Sequence, residues 1–233
     1  MRVSTMLTPA KRHGSEILDG KDLDPRVVRR SMSDVVRANA LFGGASALLA
    51  ELESTIGDLP LMATLLDVGT GLGDIPARAR HRAWAHGVQL RTIGVDIAPD
   101  LAAATAAKVD AAVCADALRL PFADDSVDVV TCSQLLHHFP GGTGTALLRE
   151  LNRVARVRVV VGDLRRSWMA AAGLWLASFP LLFHPVSRHD GVVSVLRGFT
   201  PAELRELVRD AVGANVRVCR RFAFRVTTSW APQ

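Results

Sequence analysis

The chain has 233 residues, of which 49% are hydrophobic and 22% charged, so it can bury the core of one globular α/β domain. The net charge is +5, but the basic residues are scattered and not interleaved with aromatic residues, which argues against nucleic-acid binding. The three cysteines are far apart and include no C-x-x-C pair. They predict buried thiols in a reducing cytoplasm rather than disulfides or a metal site.

Residues 1–60 precede the first predicted strand, and we expect them to form a helical cap. The segment from Met1 to Asp24 is polar and lacks the apolar run of a signal peptide, so secretion is not expected. Asp24 followed by Pro25 is typical of a helix start, and apolar residues then recur at helical spacing until Gly43. A second helix is predicted over 45–56.

Apolar strands and helices alternate through the middle of the chain. Strands are predicted at 62–68, 91–96, 111–115, 127–132 and 157–162, and helices at 75–86, 99–108 and 145–154. This alternation predicts an α/β fold with a doubly wound, mostly parallel sheet. In such a sheet a ligand binds over the carboxyl ends of the strands, at the point where the strand order reverses.

The first strand runs into a glycine-rich turn. Asp67 ends an apolar run, and glycines follow at positions 69, 71 and 73, which predicts a tight turn whose bare backbone a ligand can approach. A dinucleotide fingerprint needs its third glycine where Asp74 stands, and a carboxylate at a helix N-terminus would repel a pyrophosphate. The loop therefore favours a nucleoside without phosphates over NAD, although the glycines alone would also suit close strand–helix packing.

Acidic or hydroxyl residues follow the next strands. Asp96 ends the second strand about 20 residues beyond the glycine loop, the offset at which an acid accepts hydrogen bonds from ribose hydroxyls. Asp116 follows the third strand, and Ser133 follows the fourth. Alternatively, Asp96 caps the next helix, and Asp116 belongs to a surface turn.

These segments together resemble the class I S-adenosylmethionine-dependent methyltransferases. Residues 67–73 are similar to motif I of that family, and 120–139 resemble the run into its fourth strand and the segment after it. The resemblance covers 61–164 and 200–228, and it implies a seven-stranded Rossmann-like fold with S-adenosylmethionine as cofactor. It implies these cofactor-binding residues: Asp67, Gly69, Thr70, Gly71, Gly73, Asp96, Ile97, Asp116, Ala117 and Ser133.

Residues 165–199 form an insertion outside this common core, before a last helix and two strands in 200–233. No Asp, Glu, Lys or Arg occurs from Ser167 to Ser187. Pro180 and Pro185 interrupt this apolar run. We expect a pair of short helices that form an apolar lid, because a spanning helix here would divide a single sheet. Peripheral membrane contact through 168–186 remains an alternative. A capping Thr200 starts the last helix, and strands are predicted at 216–221 and 222–228.

The insertion and the helix start at 198–201 resemble small methyltransferases associated with polyketide or quinone biosynthesis. That resemblance implies a hydrophobic, aromatic or polyketide-derived acceptor, with O-methylation favoured. A quinone C-methyltransferase at the membrane surface, a non-catalytic cofactor-binding partner protein and an NAD-dependent oxidoreductase are the alternatives. The sequence leaves the oligomeric state open.

A hydroxyl acceptor must lose a proton, and histidine is the side chain best suited to take it near neutral pH. The candidates are His137, His138, His184 and His189. We favour His138, which follows the fourth strand, and His189, which we place in a polar turn beside Asp190. Asp163 is not followed by a second metal ligand, so the sequence predicts no metal.

Overall fold

The computed structural model describes residues 8–12, 14–20 and 23–232, so part of the predicted polar N-terminal segment lies outside the described residues. Seven strands form one sheet in the order β3-β2-β1-β4-β5-β7-β6. The strands are β1 (Met62–Val68), β2 (Gln89–Asp96), β3 (Ala111–Cys114), β4 (Val127–Ser133), β5 (Ala155–Leu164), β6 (Cys219–Arg221) and β7 (Arg225–Trp230). Strands β1 to β5 run parallel and β7 is antiparallel to both its neighbours, which confirms the predicted mostly parallel sheet.

Helices cover both faces of the sheet. They are α1 (Pro25–Leu41), α2 (Gly44–Glu53), α3 (Asp74–Ala85), α4 (Pro99–Thr105), α5 (Gly142–Val154), α6 (Trp168–Ala177), α7 (Pro185–Arg197) and α8 (Pro201–Val212). Successive residues of a strand point to opposite faces, so Leu65 packs with α2 and α3 while Leu66 packs with α5 and α8. Two buried cores result, as expected for parallel strands covered on both sides.

The last two strands differ from the prediction. The chain turns at 222–224, where Ala223 and Phe224 have φ of 49° and 58°, so β6 ends at Arg221 and β7 begins at Arg225. The prediction that a strand starts at residue 222 was wrong because Phe222 is apolar yet 82% exposed at the turn. Apolar periodicity therefore did not mark the turn.

The insertion has two helices, α6 and α7, which confirms the predicted helical lid. The prediction of a turn around His189 was wrong: His184 caps α7 through its side chain and Pro185 is the first helical residue, so the helix already includes this segment. Gly191 lies where a Cβ atom would be 2.8 Å from Cδ2 of Leu174, which lets α6 and α7 pack closely.

Helix α6 is apolar on all sides. Its outer surface exposes Trp168, Met169, Trp175 and Leu176. Within the described part of the chain, no single helix is both long and apolar enough to cross a bilayer, and only the bent pair of α1 and α2 passes on length and composition.

Buried carboxylates join the N-terminal segment, α1 and the lid. Asp34 of α1 accepts hydrogen bonds from the backbone N–H of His184 at 2.8 Å and from the hydroxyl of Ser187 at 2.9 Å. Asp190 of α7 accepts from the backbone N–H groups of Ile17 and Leu18 at 2.8 and 2.9 Å. The cap and the lid therefore form one cover over the carboxyl ends of the strands.

Candidate active site

The glycine loop joins β1 to α3 and is tied to β2, because the N–H groups of Gly69 and Thr70 both donate to the Val95 carbonyl at 2.9 Å. Gly69, Gly71 and Gly73 have φ of 73°, 57° and 70°, a region that favours glycine. A Cβ atom would lie 2.8 Å from Leu135 at position 69 and 3.0 Å from Thr105 at position 73. At those two positions the missing Cβ serves the packing of the protein itself, rather than only the approach of a ligand.

Asp96 lies at the end of β2 and binds the same loop. Its Oδ2 accepts from the N–H of Gly71 at 2.9 Å, and its Oδ1 accepts from the N–H of Ala98 at 3.0 Å. Burial raises the pKa of this carboxyl although both bonds oppose the shift. A carboxylate accepts about four hydrogen bonds, so capacity remains for the hydroxyls of a ribose. The helix-cap interpretation of Asp96 was wrong, because the N-cap residue of α4 is Ala98 and no side chain caps that helix.

Asp67 is fully buried at the end of β1 and accepts a hydrogen bond from Thr131 Oγ1 at 2.7 Å. Burial raises its pKa to about 7, against the effect of that bond. Thr70, beside it in the loop, also opposes this shift through its hydroxyl. A positively charged ligand would stabilise the ionised form of Asp67, so the loop fits the sulfonium nucleoside expected from the sequence.

The remaining predicted cofactor residues lie at the same edge of the sheet. Ser133 is the last residue of β4, Ile97 is 69% exposed just after β2, and Ala117 is buried. Asp116 is exposed, and its Oδ1 accepts from the N–H of Leu118 at 2.9 Å, as in a surface turn. The structure thus brings these residues to one edge, and their contacts with the cofactor stay a prediction.

A cavity of about 570 Å³ lies between this edge and the cover formed by the cap and the lid. Its wall is mostly apolar and comes from α1, α6, α7, the segment after β4 and the turn at 222–225. Met32 of α1 lines the cavity, and its Cε lies 3.2 Å from the position of a Cβ atom on Gly71. The cavity is therefore adjacent to the glycine loop.

His137, in the short segment that follows β4, has a side chain that is 2% exposed. Its Nδ1 lies 2.7 Å from Oδ1 of Asp163, at the end of β5. Burial alone would raise the pKa of Asp163, but the His137 ring and the N–H groups of His137 and Leu164 hold it below its usual value. Because an ionised carboxylate only accepts, Nδ1 donates to it and Nε2 is left for another partner. In the described part of the structure this Nε2 has no hydrogen-bond partner, and Glu16 Oε1 lies 3.7 Å from it.

His138 and two acids of the N-terminal segment complete a polar cluster, which we define as Glu16, Asp19, His137, His138 and Asp163. His138 Nδ1 lies 3.1 Å from Oδ1 of Asp19, and this bond lowers the pKa of Asp19 to about 2. Burial opposes protonation of His138, yet Asp19 and Glu16 outweigh it and raise its pKa. Glu16, His137 and His138 all line the cavity.

The structure does not favour His189 as a base. Its side chain is 52% exposed, it is absent from the residues that line the cavity, and it contacts Asp190 at 2.8 Å. Asp190 is already bound to the N-terminal segment, so it anchors the lid rather than activating a histidine. His184 likewise serves as the cap of α7.

Three residues of the cavity wall were not predicted from the sequence. Glu16 and Asp34 belong to segments far from the cofactor motifs, and no local pattern marks them. Arg225 is also buried in this wall; burial lowers its pKa to about 10, so the guanidinium stays charged at neutral pH. Its Nε has no hydrogen-bond partner within the described residues and offers a donor to an acidic or oxygen-rich ligand.

Residues 66–160 match the family described as methyltransferase domain. The chain is similar to a SAM-dependent methyltransferase from Aquifex aeolicus, at 16% identity over 91% of this chain and 100% of that chain, with a TM-score of 0.62. It is also similar to magnesium protoporphyrin IX methyltransferase from Synechocystis with bound SAM, at 14% identity over 93% of this chain and 88% of that chain, with a TM-score of 0.55. A third similar structure is a possible histamine N-methyltransferase from Thermotoga maritima, at 14% identity over 89% of this chain and 99% of that chain, with a TM-score of 0.58. No curated protein matches the sequence.

Replacement of Asp96 tests the cofactor site. In Asp96→Ala the ribose acceptor is lost and the N–H of Gly71 is freed, so we expect the affinity for S-adenosylhomocysteine to fall at least tenfold, or about 1.4 kcal/mol. Isothermal titration calorimetry measures the affinity, and circular dichroism checks that the fold is retained. Asp100→Ala, an exposed acid in α4, is the control. Equal affinity in wild type and Asp96→Ala would contradict the assignment.

Gly69→Ala tests whether packing dictates the loop. The positive φ costs about 1–2 kcal/mol and the contact with Leu135 about 1–3 kcal/mol more. Gly87→Ala is a matched control, because Gly87 has φ of 79° with no atom within 4 Å of its Cβ position. Urea unfolding should show a larger loss of stability at position 69. Equal losses of stability in the two variants would show that the contact with Leu135 adds no steric cost.

Proposed function

We propose that this chain acts as a class I S-adenosylmethionine-dependent methyltransferase and transfers the methyl group to a hydroxyl oxygen of a hydrophobic small molecule. The observation that carries the proposal is an apolar cavity beside the glycine loop, with a buried histidine in its wall whose Nε2 makes no hydrogen bond within the described residues. The match of residues 66–160 to the methyltransferase domain supports the activity and the cofactor, whereas the acceptor and the methylated atom rest on the cavity and its polar groups.

The size and lining of the cavity support an aromatic or polyketide-derived acceptor. About 570 Å³ lies within the usual range for small-molecule sites, roughly 300–1,000 Å³. Phe42, Phe183 and Phe224 contribute aromatic surface. The polar cluster and the guanidinium of Arg225 offer polar contacts within this apolar wall, which suits a molecule with more than one oxygen.

The polar cluster supports O-methylation over C-methylation. When bound, the cofactor supplies an electrophilic methyl group on a sulfonium. A phenol with a pKa near 10 is largely un-ionised at neutral pH, so its oxygen needs a base. His137 Nε2 accepts the hydroxyl proton, and Asp163 holds the ring and stabilises the imidazolium that forms. The cap and the lid exclude water, which would solvate the nucleophile and slow it.

We also propose that the enzyme acts in the cytoplasm and contacts the membrane surface through the lid. Three free cysteines support the first point, although the prediction that all three are buried was wrong, because Cys114 is exposed and Cys219 is half-buried. For the second, Trp175, Leu176 and Leu182 are exposed on the lid, and Arg30 and Arg37 donate to lid carbonyls at its border. Exposed tryptophan beside arginine is typical of surfaces that bind anionic lipid, and a hydrophobic acceptor could be drawn from it.

The base is tested by His137→Asn, which keeps a donor for Asp163 and removes Nε2. We expect methyl transfer to a panel of alkylated phenols and hydroxypyrones to fall about 100-fold or more, with the affinity for S-adenosylhomocysteine unchanged. Mass spectrometry measures the product, and NMR tells O-methyl from C-methyl. His189→Asn is the control and should keep the wild-type rate. Full activity in His137→Asn would overturn the assigned base, and no turnover of any acceptor by wild type would favour the non-catalytic alternative.

Membrane contact is tested with vesicles of equimolar phosphatidylcholine and phosphatidylglycerol. We expect wild type to co-sediment with them and the double variant Trp175→Ser, Leu176→Ser to stay in solution, because apolar area is lost from the lid. Trp84→Ser is the control, since Trp84 is 65% exposed on α3. Equal binding by the double variant and by Trp84→Ser would contradict the proposal.

A further inference from the structure

We propose that Glu16, His137 and His138 bind a divalent transition-metal ion of the Zn²⁺ type in the wall of the cavity. The sequence predicted no metal, because the segment after β5 lacks a second ligand next to Asp163. The structure instead brings Glu16 from the N-terminal segment against the two histidines that follow β4.

The three side chains converge at distances that suit a shared ion. Glu16 Oε1 lies 3.7 Å from His137 Nε2, and Glu16 Oε2 lies 3.7 Å from His138 Nε2. One ligand atom from each residue lies within 4.8 Å of the others. These separations are too long for hydrogen bonds. Tetrahedral ligands at about 2.0–2.1 Å from Zn²⁺ are roughly 3.4 Å apart, so small shifts would complete the site.

The outer nitrogens of both rings are already held. His137 Nδ1 lies 2.7 Å from Asp163, and His138 Nδ1 lies 3.1 Å from Asp19. Each ring is therefore held at Nδ1, and its Nε2, which lies 3.7 Å from a Glu16 oxygen, is the atom that would bind the ion as a neutral imidazole. A carboxylate behind each metal-binding histidine is the usual support of such ligands. The buried Nε2 of His137, unpartnered among the described residues, is the atom that the ion would satisfy.

The donor set selects the class of metal. Two imidazoles and one carboxylate suit Zn²⁺, Co²⁺ or Fe²⁺, whereas Mg²⁺ and Ca²⁺ prefer oxygen ligands. The consequence for catalysis rests on the proposed function. An ion on His137 Nε2 occupies the lone pair that takes the acceptor's proton, so metal binding and methyl transfer would compete.

The test titrates EDTA-stripped, full-length protein with Co²⁺ and Zn²⁺. We expect one ion per chain, with visible Co²⁺ absorption bands, and at least tenfold weaker binding in Glu16→Gln and His138→Gln. The milder Asp19→Asn should weaken binding about 10–100-fold through the loss of ring support. His86→Gln is the control, because His86 contacts Glu53 in an exposed pair outside the cluster. Absence of binding, or equal binding in the Glu16 and His86 variants, would overturn the site.

Activity separates this proposal from the proposed function. We expect Zn²⁺ to slow methyl transfer by wild type but not by Glu16→Gln, which keeps His137. Methyl transfer by a protein that binds no metal would overturn the metal site and leave the proposed function intact. Binding of one metal ion per chain without turnover of any acceptor would support the metal site and contradict the proposed function.

Discussion

The cover over the active site depends on buried carboxylates that accept hydrogen bonds from other segments of the chain. A buried carboxylate is costly unless it is paired or fully hydrogen-bonded. Asp34 and Asp190 gain their hydrogen bonds from other segments only when α1, the lid and the N-terminal segment are in place together. Asp96 and Asp163 act in the same way at the ends of β2 and β5. The same groups therefore fix the fold and position the site.

The cofactor half of the site could be predicted because its signals are local. The glycine loop and the acids that end β1 and β2 lie within short stretches, and strand–helix alternation placed them at one edge of the sheet. The acceptor half could not be predicted in this way. Glu16 and Asp163 meet His137 only through tertiary packing, and His189 was favoured for its neighbour in sequence although its ring faces solvent.

The fold and the acceptor are set by different parts of the molecule. In all, 509 solved chains match this structure, so the sheet by itself carries little information on the substrate. The cavity is lined mainly by residues from the cap, the lid and the turn at 222–225, which surround a common core. Variation in these parts would change the acceptor without disturbing the glycine loop.

The hydrogen bonds from Ile17 and Leu18 to Asp190 also bear on biosynthesis. Ile17 and Leu18 lie 173 and 172 positions before Asp190 in the chain, so both leave the ribosome long before Asp190 is made. Because domains begin to fold during synthesis, the central strands can assemble while the N-terminal segment is still unpaired. The active site thus closes only after the segment that contains Asp190 has emerged.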